Sequence, residues 1–152
     1  MQGKWIRQGL WLSAAILCCG TAMADDAASR AKIAGVWEGE NNGFPSRWTL
    51  ENKGDSVHLV YQEKNEKLID FECSTLGKEC STKVDGKGAK MTLYYNGPLL
   101  VVMESKGAEV ATRRFGVDAS GDQLSVDWMP LVPSGKDSTV QYKRVKEQAS
   151  AR

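Results

Sequence analysis

Few residues in this chain are able to do chemistry. Among 152 residues there is one histidine, His58, and there are four cysteines. One imidazole cannot build a multi-histidine metal site. No Gly-x-Ser-x-Gly nucleophile motif, Gly-rich phosphate loop or EF-hand loop is present. His58 lies within an alternating run between Val57 and Leu59 and reads as a half-exposed strand histidine. Carboxylate pairs are the remaining catalytic option. Glu38 with Glu40, and Asp70 with Glu72, lie two apart, which puts each pair on one strand face. Such pairs do acid–base work when their surroundings push the two pKa values apart. Asp70 and Glu72 oppose Ile69 and Phe71, so they are expected to face water. The inventory points to a protein that is not an enzyme and needs neither cofactor nor metal.

Cys73 and Cys80 enclose the polar stretch Ser74–Glu79, with Gly77 to turn on. Their spacing is not Cys-x-x-Cys, and an even count in an exported chain reads as a structural disulfide. The other two, Cys18 and Cys19, fall in the N-terminal segment. Residues 1–24 read as a secretory signal peptide, with Lys4 and Arg7 ahead of an apolar run from Leu10 to Cys19 and Ala22-Met23-Ala24 as the cleavage site. The apolar run is too short to span a bilayer, which takes about 20 residues. Periplasmic or secreted localisation is therefore expected, with residues 25–152 forming a single domain (core 33–145, polar tail 146–152).

The composition is 41% hydrophobic and 26% charged, and the formal net charge is +1. That balance gives no electrostatic footprint for nucleic acid. Losing Lys4 and Arg7 with the leader would leave one more acid than base.

The elements that must position these side chains are short and alternating. Asp25–Lys32 is a polar lead of about one helical turn. Strand patterns then follow at Ile33–Gly39, Arg47–Glu51, Ser56–Gln62, Lys67–Cys73, Cys80–Val84, Ala89–Tyr95, Leu99–Glu104, Glu109–Val117, Gln123–Met129 and Ser138–Val145. Asn96-Gly97 is the strongest hairpin signal. The rhythm implies an all-β fold, an antiparallel up-and-down barrel of about eight to ten strands whose closure removes exposed edges. A barrel of that size holds side chains or one small ligand.

Strand phase then names the interior. Ala111, Arg113, Phe115 and Val117 share one face, so Arg113 points inward with Phe115. An interior Arg is costly unless paired, and either a ligand carboxylate or an internal acid serves. Arg113, Tyr95, Phe115 and Trp128 are the candidate ligand-binding residues. A small amphipathic or lipophilic ligand is the expected partner, with no nucleic acid and no membrane span after leader removal. The alternative is a protein-binding accessory or inhibitor module of the periplasm, acting through the loops Asn41–Ser46 and Met129–Pro133, where Phe44, Leu131 and Val132 offer apolar contacts.

Gly35-Val36-Trp37 in the first strand resembles the Gly-x-Trp motif of lipocalins and the related fatty-acid-binding proteins. Arg113-Arg114-Phe115, Asp118 with Gly121-Asp122-Gln123-Leu124, Gly135-Lys136 and Tyr142-Lys143-Arg144 are similar to small exported lipocalin-like domains of bacteria. The resemblance covers about Ile33 to Val145. It implies that Trp37 closes the barrel floor and that Arg144, from the last strand, stacks over it.

Overall fold

One helix and ten strands make up the computed structural model, which describes residues 21–146. The expected leader lies outside the described residues up to position 20. Helix α1 is Thr21–Ala31. The strands are β1 (Gly35–Asn41), β2 (Phe44–Lys53), β3 (Ser56–Glu63), β4 (Glu66–Ser74), β5 (Leu76–Val84), β6 (Lys87–Asn96), β7 (Leu99–Lys106), β8 (Glu109–Val117), β9 (Gln123–Val132) and β10 (Ser138–Arg144). Each pairs antiparallel with the next, and β10 returns to β1, so the sheet is a closed barrel. The helix is longer than the single turn expected and spans the expected cleavage motif.

Turn chemistry sets the register. Asn42-Gly43, Lys64-Asn65 and Asp85-Gly86 each place two consecutive residues at positive φ. That geometry matches the right-handed twist of the flanking strands. At the predicted Asn96-Gly97 hairpin the turn is shifted by one residue. Asn96 pairs with Leu99, and Gly97, at φ +58°, opens the turn. The two supposed loops are also mostly strand. Phe44 begins β2, and Met129–Val132 completes β9. Proline hid both in the sequence. Pro45 needs no ladder donor and its carbonyl accepts from the Lys64 N–H at 3.1 Å, while Pro130 sits opposite a register shift at Val110/Ala111.

Alternation fills the interior. Val57, Leu59 and Tyr61 of β3 are buried, as are Ile69, Phe71 and Cys73 of β4. Leu100 and Val102 of β7 face inward, and so does Glu104, whose inward phase passed unnoticed in an apolar run. One seam is thin: β4 and β5 share a single registered pair, Ile69 with Val84. Near its other end Cys73 and Cys80 form a disulfide, with Cα atoms 6.0 Å apart.

Candidate functional site

The two ends of the barrel differ. One is sealed by α1 and the segment after it. Ile33 is fully buried there, Arg30 Nε donates to the Gly97 carbonyl at 2.8 Å, and Lys32 Nζ donates to the Ala119 carbonyl at 3.0 Å. The Trp37 ring is wholly buried, and its Nε1 donates to the Ile33 carbonyl at 3.0 Å. Arg144 pairs with Trp37 in the β1–β10 register, and its Cζ lies 4.1 Å from the ring centroid. The same guanidinium donates to the carbonyls of Gly121 (2.7 Å), Ala34 (2.9 Å) and Lys32. Two glycines make room for this layer. A Cβ on Gly35, at φ +145°, would collide with the Arg144 guanidinium, and one on Gly39 would meet the Tyr142 ring at 2.8 Å.

The other end is a mouth. A cavity of about 240 Å³ opens there, walled by Trp48, Tyr61, Val126, Trp128, Val140 and Tyr142 with Asn41, Asn42, Arg113 and Ser138. A second hollow of about 310 Å³ lies beside it, lined by Val84, Glu104, Ala111 and Pro130 among others, and it shares Arg113 and Trp128 with the first. These two side chains therefore form a partition. Arg113 pairs with Trp128 across β8 and β9, and its Cζ lies 4.2 Å from the Trp128 ring. Its charge is met by Glu104, with which it forms an ion pair; the Glu104 side chain is only 6% exposed and that of Arg113 17%. The strand phase of Arg113 thus points it inward, and its partner is an internal acid.

Tyr95 and Phe115 do not line this cavity. Phe115 is fully buried one inward position below Arg113, edge-on to Trp48 at 4.9 Å, and fills the core. Tyr95 is at the sealed end, where Arg30 lies 4.8 Å from its ring and burial pushes its hydroxyl pKa up. Trp48 and Glu104 were missed as site residues. The signal for both was phase, Trp48 with Leu50 on β2 and Glu104 with Leu100 and Val102 on β7.

Trp48 stacks on Tyr61 with centroids 4.6 Å apart, and its indole nitrogen is buried with no hydrogen-bond partner. The Tyr61 hydroxyl donates to Glu63 Oε2 at 2.7 Å, and Asn41 Nδ2 donates to the same carboxylate at 3.1 Å. Burial, then the Glu63 carboxylate, push the Tyr61 pKa far up, so the hydroxyl stays protonated at any ordinary pH. At the rim Phe44 (42% exposed), Leu131 (48%) and Val132 (52%) reach water.

Elsewhere the charged groups sit on the outer face. His58 Nε2 is 2.8 Å from Asp70 Oδ1, and Lys67 Nζ donates to Asp70 Oδ2 at 2.8 Å. Asp70 raises the His58 pKa above its ordinary value, with burial opposing. Lys67, then His58, hold Asp70 below its own. Glu38, Glu40, Asp70 and Glu72 are all exposed. Among the described residues no cluster of His, Cys, Asp or Glu is placed to hold a metal, and no helix is long and apolar enough to cross a membrane.

This architecture, a closed antiparallel barrel of ten strands, is the fold seen in solved fatty-acid-binding proteins. No family model matches the chain, and no curated protein matches it by sequence. Among solved structures, a REP1-NXSQ fatty acid transporter superposes with a TM-score of 0.66 at 18% identity, over 78% of this chain and 99% of that one. A secretory abundant heat soluble protein from Ramazzottius varieornatus gives 0.64 at 17% identity, over 75% and 96%. A Schistosoma mansoni fatty acid binding protein in complex with arachidonic acid gives 0.63 at 15% identity, over 78% and 99%. Identities this low establish a common fold and leave the chemistry of the mouth to be argued from its own residues.

Proposed function

We propose that this is an exported, non-enzymatic binding protein that holds one small amphipathic or lipophilic molecule in the mouth of its barrel. The observation that carries the reading is the distribution of space. The rest of the interior is filled by side chains such as Leu50, Met91, Leu93, Phe115 and Leu124, whereas the mouth keeps a cavity of about 240 Å³ with an aromatic wall. Apolar concavities with a few convergent polar groups are the usual form of a ligand site, and this one is near the lower limit of their size. The ligand is therefore compact. Lipid-binding neighbours of the same fold support the reading, as does the thin catalytic inventory. Export rests on the N-terminal leader pattern and on the disulfide, which persists in an oxidising compartment. The location proposed, periplasmic or secreted, rests on the same leader pattern.

Native mass spectrometry of protein purified from its own cells tests this. A co-purifying small molecule, lost on Trp128→Ala substitution, is the expected result. Persistent capture of a protein partner with an empty barrel would instead favour the accessory or inhibitor reading, for which exposed Phe44, Leu131 and Val132 at the rim supply the contacts.

A further inference from the structure

We infer that the polar end of the ligand is uncharged, and that it offers an oxygen acceptor to the indole N–H of Trp48. This rests on the reading of the mouth as a ligand site and narrows the class of molecule it takes.

The argument starts from charge. Arg113 is the one cation lining the mouth cavity among the described residues. Its guanidinium is already committed to Glu104, which is buried, and to the face of Trp128. A ligand carboxylate brought to Arg113 would stand next to a second carboxylate in an enclosure that water screens poorly. Either Glu104 would lose its partner or two anions would share one cation, and both outcomes bury uncompensated negative charge. Glu63 does not line the cavity, but it accepts from the Tyr61 hydroxyl and from Asn41 Nδ2, which do, and so holds a further carboxylate beside the mouth. The electrostatics therefore favour a neutral guest.

Hydrogen bonding supplies the second half. The Tyr61 hydroxyl is used by Glu63, and the Tyr142 hydroxyl accepts from Ser46 Oγ at 3.4 Å while keeping its own proton to donate. Trp48 is different: only 3% exposed, part of the cavity wall, and its Nε1 is without a partner. An indole N–H only donates, and leaving a buried donor unpaired is costly. A carbonyl, hydroxyl or ester oxygen in the cavity removes that cost. A bare hydrocarbon does not, and a carboxylate does so only against the charge of Glu104. Alcohols, ketones, aldehydes and esters are the chemical class selected.

The probes are octan-1-ol and sodium octanoate, matched in chain length, titrated at pH 7 into the ¹⁵N-labelled full chain. The readouts are the indole N–H resonances and the amides of Val126, Trp128 and Val140. Octan-1-ol should bind about tenfold more tightly than octanoate, and it should shift the Trp48 indole proton downfield. Trp48→Phe keeps the aromatic wall and removes the donor, so it should lower octan-1-ol affinity about fivefold. Glu104→Gln frees Arg113 and should move the preference toward octanoate. Octanoate binding as tightly as octan-1-ol in the unsubstituted protein, or octan-1-ol binding with the Trp48 resonance unmoved, overturns the inference and leaves the carrier reading standing. Neither of these comparisons depends on a variant folding. Failure of both probes to move any resonance of the mouth overturns the carrier reading and this inference with it.

Discussion

Removing the Arg144 side chain tests how the sealed end is built. The guanidinium supplies three backbone carbonyls, those of Lys32, Ala34 and Gly121, and lies over Trp37. Charge-assisted hydrogen bonds of this kind contribute about 1.5–3 kcal/mol each when fully buried. Arg144 is only partly buried, and water can replace some of its contacts. Arg144→Ala should therefore cost about 2–4 kcal/mol, less than the sum of its bonds. Trp37→Ala removes a wholly buried ring and orphans the Ile33 carbonyl, for about 3–5 kcal/mol. Trp37→Phe is the milder companion should the alanine variant fail to fold. Because ring and guanidinium are in contact, the double variant should lose less than the two singles together, by about 0.5–2 kcal/mol. Urea unfolding followed by far-UV circular dichroism measures all four corners of the cycle. Additivity to within about 0.5 kcal/mol would refute the claim that the two groups act as one layer.

Three further outcomes are expected. Replacing Cys73 and Cys80 with Ser should lower stability by about 2–3 kcal/mol, read as a drop in the urea midpoint, while ligand binding by the folded fraction is kept; a midpoint unchanged by the substitution counts against the clip. Arg113→Met strands Glu104 and should cost about 3–5 kcal/mol, whereas Arg113→Met combined with Glu104→Leu should be close to neutral; a double variant as unstable as the single defeats the buried-pair argument. For His58 and Asp70 the signs differ. The raised His58 value gives stability that is complete below its ordinary 6.5 and is lost as pH rises through the folded value. The lowered Asp70 value gives stability present above its ordinary 3.8 and lost as pH falls through the folded value. The pair therefore contributes most between about pH 4 and 6.5, and Asp70→Asn should flatten the urea midpoint on both flanks; a slope above pH 6.5 that survives Asp70→Asn disproves the assignment.

Strand phase was the most informative property of the sequence. It distinguished Leu59 from His58 and Phe71 from Asp70, and it aimed Arg113 at the interior, because each side chain's face follows from counting by two. What it could not supply was depth along the barrel axis. Tyr95, Phe115 and Arg113 all point inward, yet they lie at the sealed end, the middle and the mouth respectively. Only the pairing register between strands places them, and register depends on turns that proline obscured at Pro45 and Pro130. Glu104 escaped for another reason. A lone acid closing an apolar run looks like the strand's exposed end, and only its partner on the next strand explains why it is buried. Trp48 was hidden in a segment cut short as Arg47–Glu51, which concealed that its strand reaches the mouth.

The thin seam between β4 and β5 bears on solubility. A closed barrel offers no strand edge to another chain, and so resists the edge-to-edge pairing that seeds aggregates. Here that protection is uneven. Most neighbouring strands share several registered pairs, but β4 and β5 share one, with a covalent link near the other end of the gap. Cutting that link leaves the two strands free to part over most of their length. Two unpaired edges then appear, one of them bearing alternate Ile69, Phe71 and Cys73, a pattern able to template a neighbour's strand. The Cys73–Cys80 bond is thus the covalent tie across the least-paired seam of the barrel.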